Sequence, residues 1–284
     1  MDIRTSHLHR RISEEKAKNK CLIIGSKTEK KYYFCPIFKF VILNKHFYIT
    51  AFFVLAVLAA VLWQAPVYIY GVGLLLYLGL LSWGVFDIRL SYFIPTQYCL
   101  KGRPSKTVVL TFDDGPSALT PQFLDLLKQY NAKVVFFCVG EQIQKYPEVV
   151  RRMKTEGHLV ANHTFSHQPR NLLHTQRLID EIKRTDAVLA ELGIYTPLFR
   201  PPYGITNPPL ARAIRATQKK TIGWDIRSLD TVITDEDRLF RRITRKLSAG
   251  NIILMHDKFE RSLHVLERLL QYLKDNNYTI TTDF

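Results

Sequence analysis

Asp113 and Asp114 stand side by side in Thr111-Phe112-Asp113-Asp114-Gly115-Pro116. Adjacent carboxylates beside a strand are costly unless they meet a metal, a cation or hydrogen-bond donors. The alternative is a simple turn, which Asp-Gly-Pro suits. His163 and His167 are four apart in His163-Thr164-Phe165-Ser166-His167. That spacing puts two imidazoles on one face of a helical turn, where both can bind one metal. An Asp from another strand end would complete a two-His, one-carboxylate site with a position open for water.

Three more segments carry polar residues of the same kind. Arg200-Pro201-Pro202-Tyr203-Gly204 offers a permanently charged guanidinium that can pin a carboxylate. Its two prolines stiffen a loop whose backbone N–H groups could face an oxyanion. In Trp224-Asp225-Ile226-Arg227-Ser228-Leu229-Asp230, Asp230 could orient a histidine and Trp224 could wall a sugar site. His256 ends the apolar run Ile252-Ile253-Leu254-Met255, where an imidazole can serve as a general acid near neutral pH. Each has a bland alternative: a rigid surface loop, a core Trp with two solvated aspartates, a satisfied structural His.

The elements that must position these residues alternate. From about Lys106, the pattern predicts strands at 107–111, 133–139, 158–161, 198–200, 220–225, 251–255 and 278–281. Helices are predicted at 121–130, 147–156, 175–192, 208–217, 234–248 and 259–276. Alternating strands and helices imply a mainly parallel sheet with helices outside. About seven strands in roughly 180 residues fit a small or incomplete barrel better than an eight-unit barrel of about 250. All five segments fall just after a predicted strand, the end that carries the active site in parallel barrels.

Taken in order, the segments resemble the polysaccharide deacetylase family with NodB homology (carbohydrate esterase family 4) over residues 104–284; the TFDDGP and HxxxH pieces carry the resemblance. It implies an α/β fold, a distorted (β/α)7 barrel. It also implies metal-dependent removal of an N- or O-acetyl group from a sugar, commonly N-acetylglucosamine in a polymer. The chain would then be a hydrolase of carbon–nitrogen amide bonds. Carried over by motif, Asp113 resembles the catalytic base, and Asp114, His163 and His167 resemble the metal ligands. Arg200 resembles the partner of Asp113, the Tyr203 backbone N–H an oxyanion donor, Asp230 the group that tunes the acid, and His256 the general acid. Leu254 resembles the lining of the acetyl pocket, with Trp224 and Pro202 on the substrate wall. The implied cofactor is a divalent metal, Zn²⁺ first, with Co²⁺ or another divalent ion as alternatives. Many family members have an acidic residue where Arg227 sits and a Trp where this chain has Thr231, so substrate contacts along that wall differ here.

Composition divides the chain differently. It has 284 residues, 47% hydrophobic and 23% charged, which excludes a disordered chain, a collagen-like repeat and a small disulfide scaffold. The net charge of +15 raises nucleic acid or anionic membrane as partners. Residues 1–46 carry 11 Lys/Arg against 4 Asp/Glu, a basic N-terminal tail, whereas residues 47–86 hold no charged residue. Forty uncharged, mostly apolar residues are too many for one membrane span and about right for two. The break falls at Gln64-Ala65-Pro66, because Pro66 suits the first turn of a second helix. Spans near 47–63 and 67–86 form a transmembrane hairpin, with Trp63, Tyr68 and Tyr70 at one interface and Phe47, Tyr48, Trp83 and Phe86 at the other. Residues 87–103 read as a linker to the domain at 104–284. Lys39 and Lys45 precede the hairpin, Arg89, Lys101, Arg103 and Lys106 follow it, and the positive-inside rule puts both flanks on the cytoplasmic face. Four cysteines without paired spacing are compatible with reducing surroundings.

The reading is a membrane-anchored, metal-dependent deacetylase of a cell-envelope polysaccharide. Its partners are an N-acetylated glycan and membrane lipid; no nucleic acid is expected, since no motif accompanies the charge. Two alternatives stand beside it. One is a cytoplasmic-face deacetylase or deformylase of a lipid-linked sugar precursor. The other is an inactive, membrane-anchored glycan-binding module.

Overall fold

The computed structural model describes residues 45–100, 102 and 106–284. The tail expected over 1–46 lies outside the described residues up to position 44. The described residues form a single unit. It begins with α1 (Lys45–Leu62) and α2 (Val67–Phe86), then β1 (Thr96–Gln97) and β2 (Thr107–Asp113). Next come α3 (Thr120–Gln129), β3 (Val135–Cys138), α4 (Gly140–Lys145), α5 (Pro147–Thr155) and β4 (Leu159–Asn162). The rest is α6 (Thr175–Glu191), β5 (Leu198–Phe199), α7 (Pro208–Thr217), β6 (Lys220–Ile222), β7 (Ile226–Arg227), α8 (Glu236–Thr244), β8 (Ile252–His256), α9 (Glu260–Asp275) and β9 (Thr279–Ile280).

The sheet order is β1-β6-β5-β4-β3-β2-β8-β7, with β9 paired to the start of β2, and every ladder is parallel. β6 pairs with β5 while β7 pairs with β8. One run of chain, 220–227, therefore leads from β6, next to the β1 edge, to β7 at the opposite edge, and the sheet curls into a partial barrel. The strand expected at 220–225 stops at Ile222, because Gly223-Trp224-Asp225 leads across from β6 to β7, a strand the sequence reading did not place. β1 and the six-residue α4 were not foreseen; both are too short to show a period.

Period-two alternation sorts the side chains of each central strand. In β2, Val108, Leu110 and Phe112 pack outward in a core shared with the helices, while Val109 faces the interior. In β8, Ile253 and Met255 join the outer core, and Ile252 and Leu254 the inner one. Both strands are buried along their whole length because each face is covered. Asp113 and His256 have the inward parity and are register partners. They are delivered side by side to the same end of the interior.

Residues expected as a linker contribute to the core instead. Ile88, Tyr92, Phe93, Ile94 and Leu100 are buried, and β1 pairs with β6. Ile88 and Leu100 join the inner cluster, and Tyr92, Phe93 and Ile94 pack with α6 and α7. The last turn of α2 is fastened to this layer. Thr206 donates its N–H to Val85 O at 3.0 Å and its hydroxyl to Gly84 O at 3.0 Å. Gly84 lies against the Tyr92 ring, leaving no room for a side chain.

Beyond that turn the two helices turn their apolar surface outward. α1 buries none of its residues and α2 only Gly84. With 18 and 20 residues they measure about 27 and 30 Å, long and apolar enough to cross a hydrocarbon core of about 30 Å. They contact one another through Phe53 and Tyr77, and the Tyr77 hydroxyl lies 3.1 Å from that of Thr50.

Candidate active site

The site lies at the C-terminal ends of β2, β4, β5 and β8, as the sequence placed it. Asp113 closes β2, and Asp114 follows it in a left-handed conformation (φ 70°) that turns its carboxylate away from the strand direction. His163 follows β4. Thr164 (φ 67°) and His167 (φ 53°) are also left-handed, so the HxxxH segment is a turn rather than the helix the spacing suggested. Tyr203 (φ 59°) makes a fourth such residue. A non-glycine residue there costs on the order of 1–3 kcal/mol, and surrounding contacts must hold it.

Those contacts are visible. Glu181 of α6 caps the turn: Oε2 accepts from the Phe165 and Ser166 N–H groups at 3.0 and 2.7 Å, and Oε1 from the Ser166 hydroxyl at 2.9 Å. Asn162 accepts the Thr164 N–H at 2.9 Å. The result brings His163 Nε2 to 3.5 Å and His167 Nε2 to 3.3 Å from the same Asp114 oxygen, Oδ1. The ligand atoms of these three residues lie within 4.8 Å of one another. His163 Nδ1 is 2.7 Å from the Arg200 carbonyl, so that nitrogen carries the proton and Nε2 presents its lone pair. Burial and the neighbouring His163 push the His167 pKa down to about 4 against the pull of Asp114, which keeps its imidazole neutral near pH 7. Its Nε2 is buried with no hydrogen-bond partner. An orphaned imidazole nitrogen, a second lone pair and a carboxylate converging on one point fit a divalent metal. Burial opposes ionisation of Asp114, but its histidine neighbours, His163 foremost, outweigh it and hold the pKa well below the carboxylate range. Its other oxygen, Oδ2, is 2.6 Å from Lys258 Nζ.

Asp113 and Arg200 form the second unit. Arg200 is fully buried, and its Nη1 donates to Asp113 Oδ1 at 2.6 Å and to the Thr111 hydroxyl at 2.7 Å. Nε and Nη2 donate to the Ile222 and Gly223 carbonyls at 3.2 and 2.8 Å, and the guanidinium lies 4.0 Å over the Phe137 ring. With Oδ1 held, Asp113 Oδ2 faces the Asp114–His163–His167 cluster, 3.9 Å from His163 Nε2. Removing either partner of so buried a pair strands a charge, at a cost of about 3–5 kcal/mol.

His256 and Asp230 form the third. His256 Nδ1 is 2.7 Å from Asp230 Oδ1, and its backbone N–H donates to Oδ2 at 2.8 Å. The Ser262 hydroxyl also donates to Oδ2, at 2.9 Å. His256 Nε2 looks across the site to Asp114 Oδ2 at 3.9 Å. Burial opposes the imidazolium, but hydrogen bonding and attraction from Asp230, with Asp113 and Asp114 behind it, raise the His256 pKa. Asp230 moves the other way: burial disfavours its charge, and the bonds and charge of His256 more than compensate.

The other residues singled out in the sequence lie around these units. Gly204 and Ile205 donate their N–H groups to the Pro201 and Pro202 carbonyls. The prolines have none, so Tyr203 holds the N–H of this turn without a backbone acceptor among the described residues. Its ring packs 4.6 Å from that of His167, and its hydroxyl donates to the His167 carbonyl at 3.2 Å, a role the sequence reading did not give the side chain. Pro202 is buried, Trp224 packs under Gly204, and Leu254 lies in the inner core two residues before His256. Glu181, Asn162, Thr111, Ser262 and Lys258 were missed. Only Thr111 carried a signal, its inward parity two residues before Asp113. The others act through a fold that places distant residues together.

The polysaccharide deacetylase family model matches residues 101–222. A peptidoglycan-N-acetylglucosamine deacetylase of Bacillus cereus is 31% identical over 208 residues, 71% of this chain and 74% of its own length. The peptidoglycan-N-acetylmuramic acid deacetylase PdaC of Bacillus subtilis is 34% identical over 180 residues, 62% of this chain. There the match spans only 38% of the relative's length. The crystal structure of the Bc1960 peptidoglycan N-acetylglucosamine deacetylase superposes with a TM-score of 0.60 and 30% identity, over 66% of this chain and 89% of that one. With this coverage, and with the TFDDGP and HxxxH segments and His256 meeting at one barrel end, the chain belongs to the polysaccharide deacetylase family, carbohydrate esterase family 4, whose enzymes are amide-bond hydrolases.

Proposed function

We propose that this chain is a membrane-anchored, divalent-metal-dependent deacetylase that removes N-acetyl groups from amino sugars of a cell-envelope polysaccharide. The observation that carries the reading is the meeting, within 3.9 Å of the Asp114 carboxylate, of the two metal-binding imidazoles and the Asp230-backed His256. The relatives named for peptidoglycan support the substrate class. Asp114, His163 and His167 would hold the metal, Zn²⁺ or Co²⁺. When bound there, a divalent cation supplies Lewis acidity, lowering the pKa of water and polarising an acetyl carbonyl.

The chain's own residues then divide the proton work. Asp113 accepts a proton from the attacking water through Oδ2, because Arg200 holds Oδ1 in place. The Tyr203 N–H donates to the carbonyl oxygen as it gains charge. The new C–O bond forms and the C–N bond breaks, and His256 Nε2 gives its proton to the departing nitrogen. Products are acetate and a free amine; proton exchange with water restores Asp113 and His256. Leu254 would line the acetyl methyl, with Trp224 and Pro202 along the sugar. The exposed apolar faces of α1 and α2 support insertion of the hairpin in a bilayer.

Acetate release from N-acetylglucosamine oligomers and from peptidoglycan by the full chain tests the activity. Loss with chelator and return with Zn²⁺ is expected. No release from metal-loaded, folded protein would sink the reading and favour the inactive module. A second reading rests on the basic flanks, Lys45 before the hairpin and Arg89 and Lys106 after it: a cytoplasmic-face enzyme for a lipid-linked sugar. Reporter fusions at residue 100 separate the two.

A further inference from the structure

We propose that the cavity where the hairpin meets the outer wall of the barrel is a phosphate site, and that it holds the headgroup phosphate of an anionic membrane lipid. The proposal rests on the reading that α1 and α2 lie in a bilayer. The cavity has a volume of about 420 Å³. Trp83 and Phe86, 58% and 71% exposed, form one side of it at the last turn of α2. Arg227 of β7, Arg242 of α8 and Lys246 just beyond form another.

No carboxylate pairs with these three cations among the described residues. Arg242 Nε donates to the Arg227 carbonyl at 3.0 Å, which fixes the arginine and leaves both Nη groups for a ligand. Two acids also line the cavity, and both are engaged. Asp87 takes Arg89 in a two-pronged pair at 2.8 and 2.7 Å. Asp225 accepts from the Asn251 side chain and from the Ile252 N–H. The acids of α8 point to other partners, Glu236 to His264 and Asp237 to Arg268, each at 2.8 Å. Arg238, Arg241 and Arg245 extend the same basic stretch. With Arg89 the lining holds four cations against the two carboxylates, and none of the three unpaired cations has a carboxylate in contact, so the wall keeps a positive excess that an anion relieves.

Position selects the source of the anion. The cavity opens at the turn where the apolar helix ends, next to an exposed Trp and Phe. That is the depth at which aromatic belts form and headgroup phosphates lie. Basic side chains at this level are drawn to anionic lipid. Free phosphate shares the chemistry but not the apolar wall.

The test titrates the detergent-purified full chain with phosphatidylglycerol and with phosphatidylcholine, reading bound lipid by native mass spectrometry. Wild-type protein is expected to retain one phosphatidylglycerol in preference to phosphatidylcholine. The triple variant Arg227→Gln, Arg242→Gln, Lys246→Gln should bind it roughly a hundredfold more weakly, with an unchanged melting temperature. Equal retention by both proteins overturns the site. Displacement of the lipid by millimolar inorganic phosphate overturns the lipid assignment. Carbonate extraction of membranes is the separate check on the hairpin: a chain that washes off removes the premise, whereas one that stays and ignores the triple substitution removes this proposal alone.

Discussion

The hairpin and the barrel dispose of their leucines in opposite directions. Leu62 and Leu75 of the hairpin are 82% and 71% exposed, while Leu110 of β2 and Leu266 of α9 are fully buried. Apolar content is high in both. What differs is pattern: the hairpin is apolar all round over about twenty residues a helix, whereas the barrel's helices are apolar on one face and its central strands are short apolar runs ended by polar residues. A patterned element hides one face from water; an unpatterned one twenty residues long has no polar face to offer water. On the proposed reading the two regions are written for different solvents, and polar chemistry is confined to the one whose interior can hold buried charges in pairs.

The sharpest break in the comparison comes from the site. His163→Ala should lose metal and turnover together, and Asp113→Asn should keep metal while kcat falls by about 10²–10⁴; neither should alter membrane association. Metal content by atomic absorption and acetate release by coupled assay check both, and a fully active Asp113→Asn enzyme would falsify the base assignment. Next is one substitution placed in each solvent. Leu110→Ala should destabilise the domain by about 2–5 kcal/mol, and Leu75→Ala by less than about 0.5 kcal/mol, both by denaturant melts in detergent. Leu75→Arg instead should cost about 3 kcal/mol of insertion and reduce the carbonate-resistant fraction without touching kcat.

Smaller effects sharpen the picture within the barrel. Glu181→Ala should weaken metal binding about 10–100-fold by freeing the HxxxH turn, measured by chelator competition, with Glu181→Gln recovering part of it. Asp230→Asn removes the charge that raises the His256 pKa, so the alkaline limb of kcat/KM should move to lower pH. An unmoved limb would separate His256 from the acid role. The same pair sets a stability profile. The raised His256 contributes fully below the ordinary histidine pKa and loses its contribution as pH rises through the higher folded value. The depressed Asp230 contributes above the ordinary carboxylate pKa and loses it as pH falls through the lower folded value.

Much of the fold was legible because it is written in periods. All six predicted helices and seven predicted strands of the domain have counterparts, most within two or three residues. The exceptions are informative. Residues 87–103 read as a linker because Ile88, Phe93 and Leu100 follow no period; they are core because β1 docks on β6. The HxxxH spacing suggested a helical turn, but left-handed Thr164 and His167 bring the imidazoles together by another route.

The sequence by itself determined the chemistry available: which residue types stand after which strands, that two carboxylates adjoin, that two histidines are four apart, and that forty residues lack charge. Those are local facts, and local spacing preserves them. Only the tertiary structure decided who partners whom. Arg200 reaches Asp113 across 87 positions, Asp230 reaches His256 across 26, and Glu181 braces a turn 15 residues before it. Such pairings depend on the parallel register and on the chain crossing from β6 to β7 at 220–227. A buried charge is stable only when its partner arrives from elsewhere in the chain, and no one-dimensional period records that arrival.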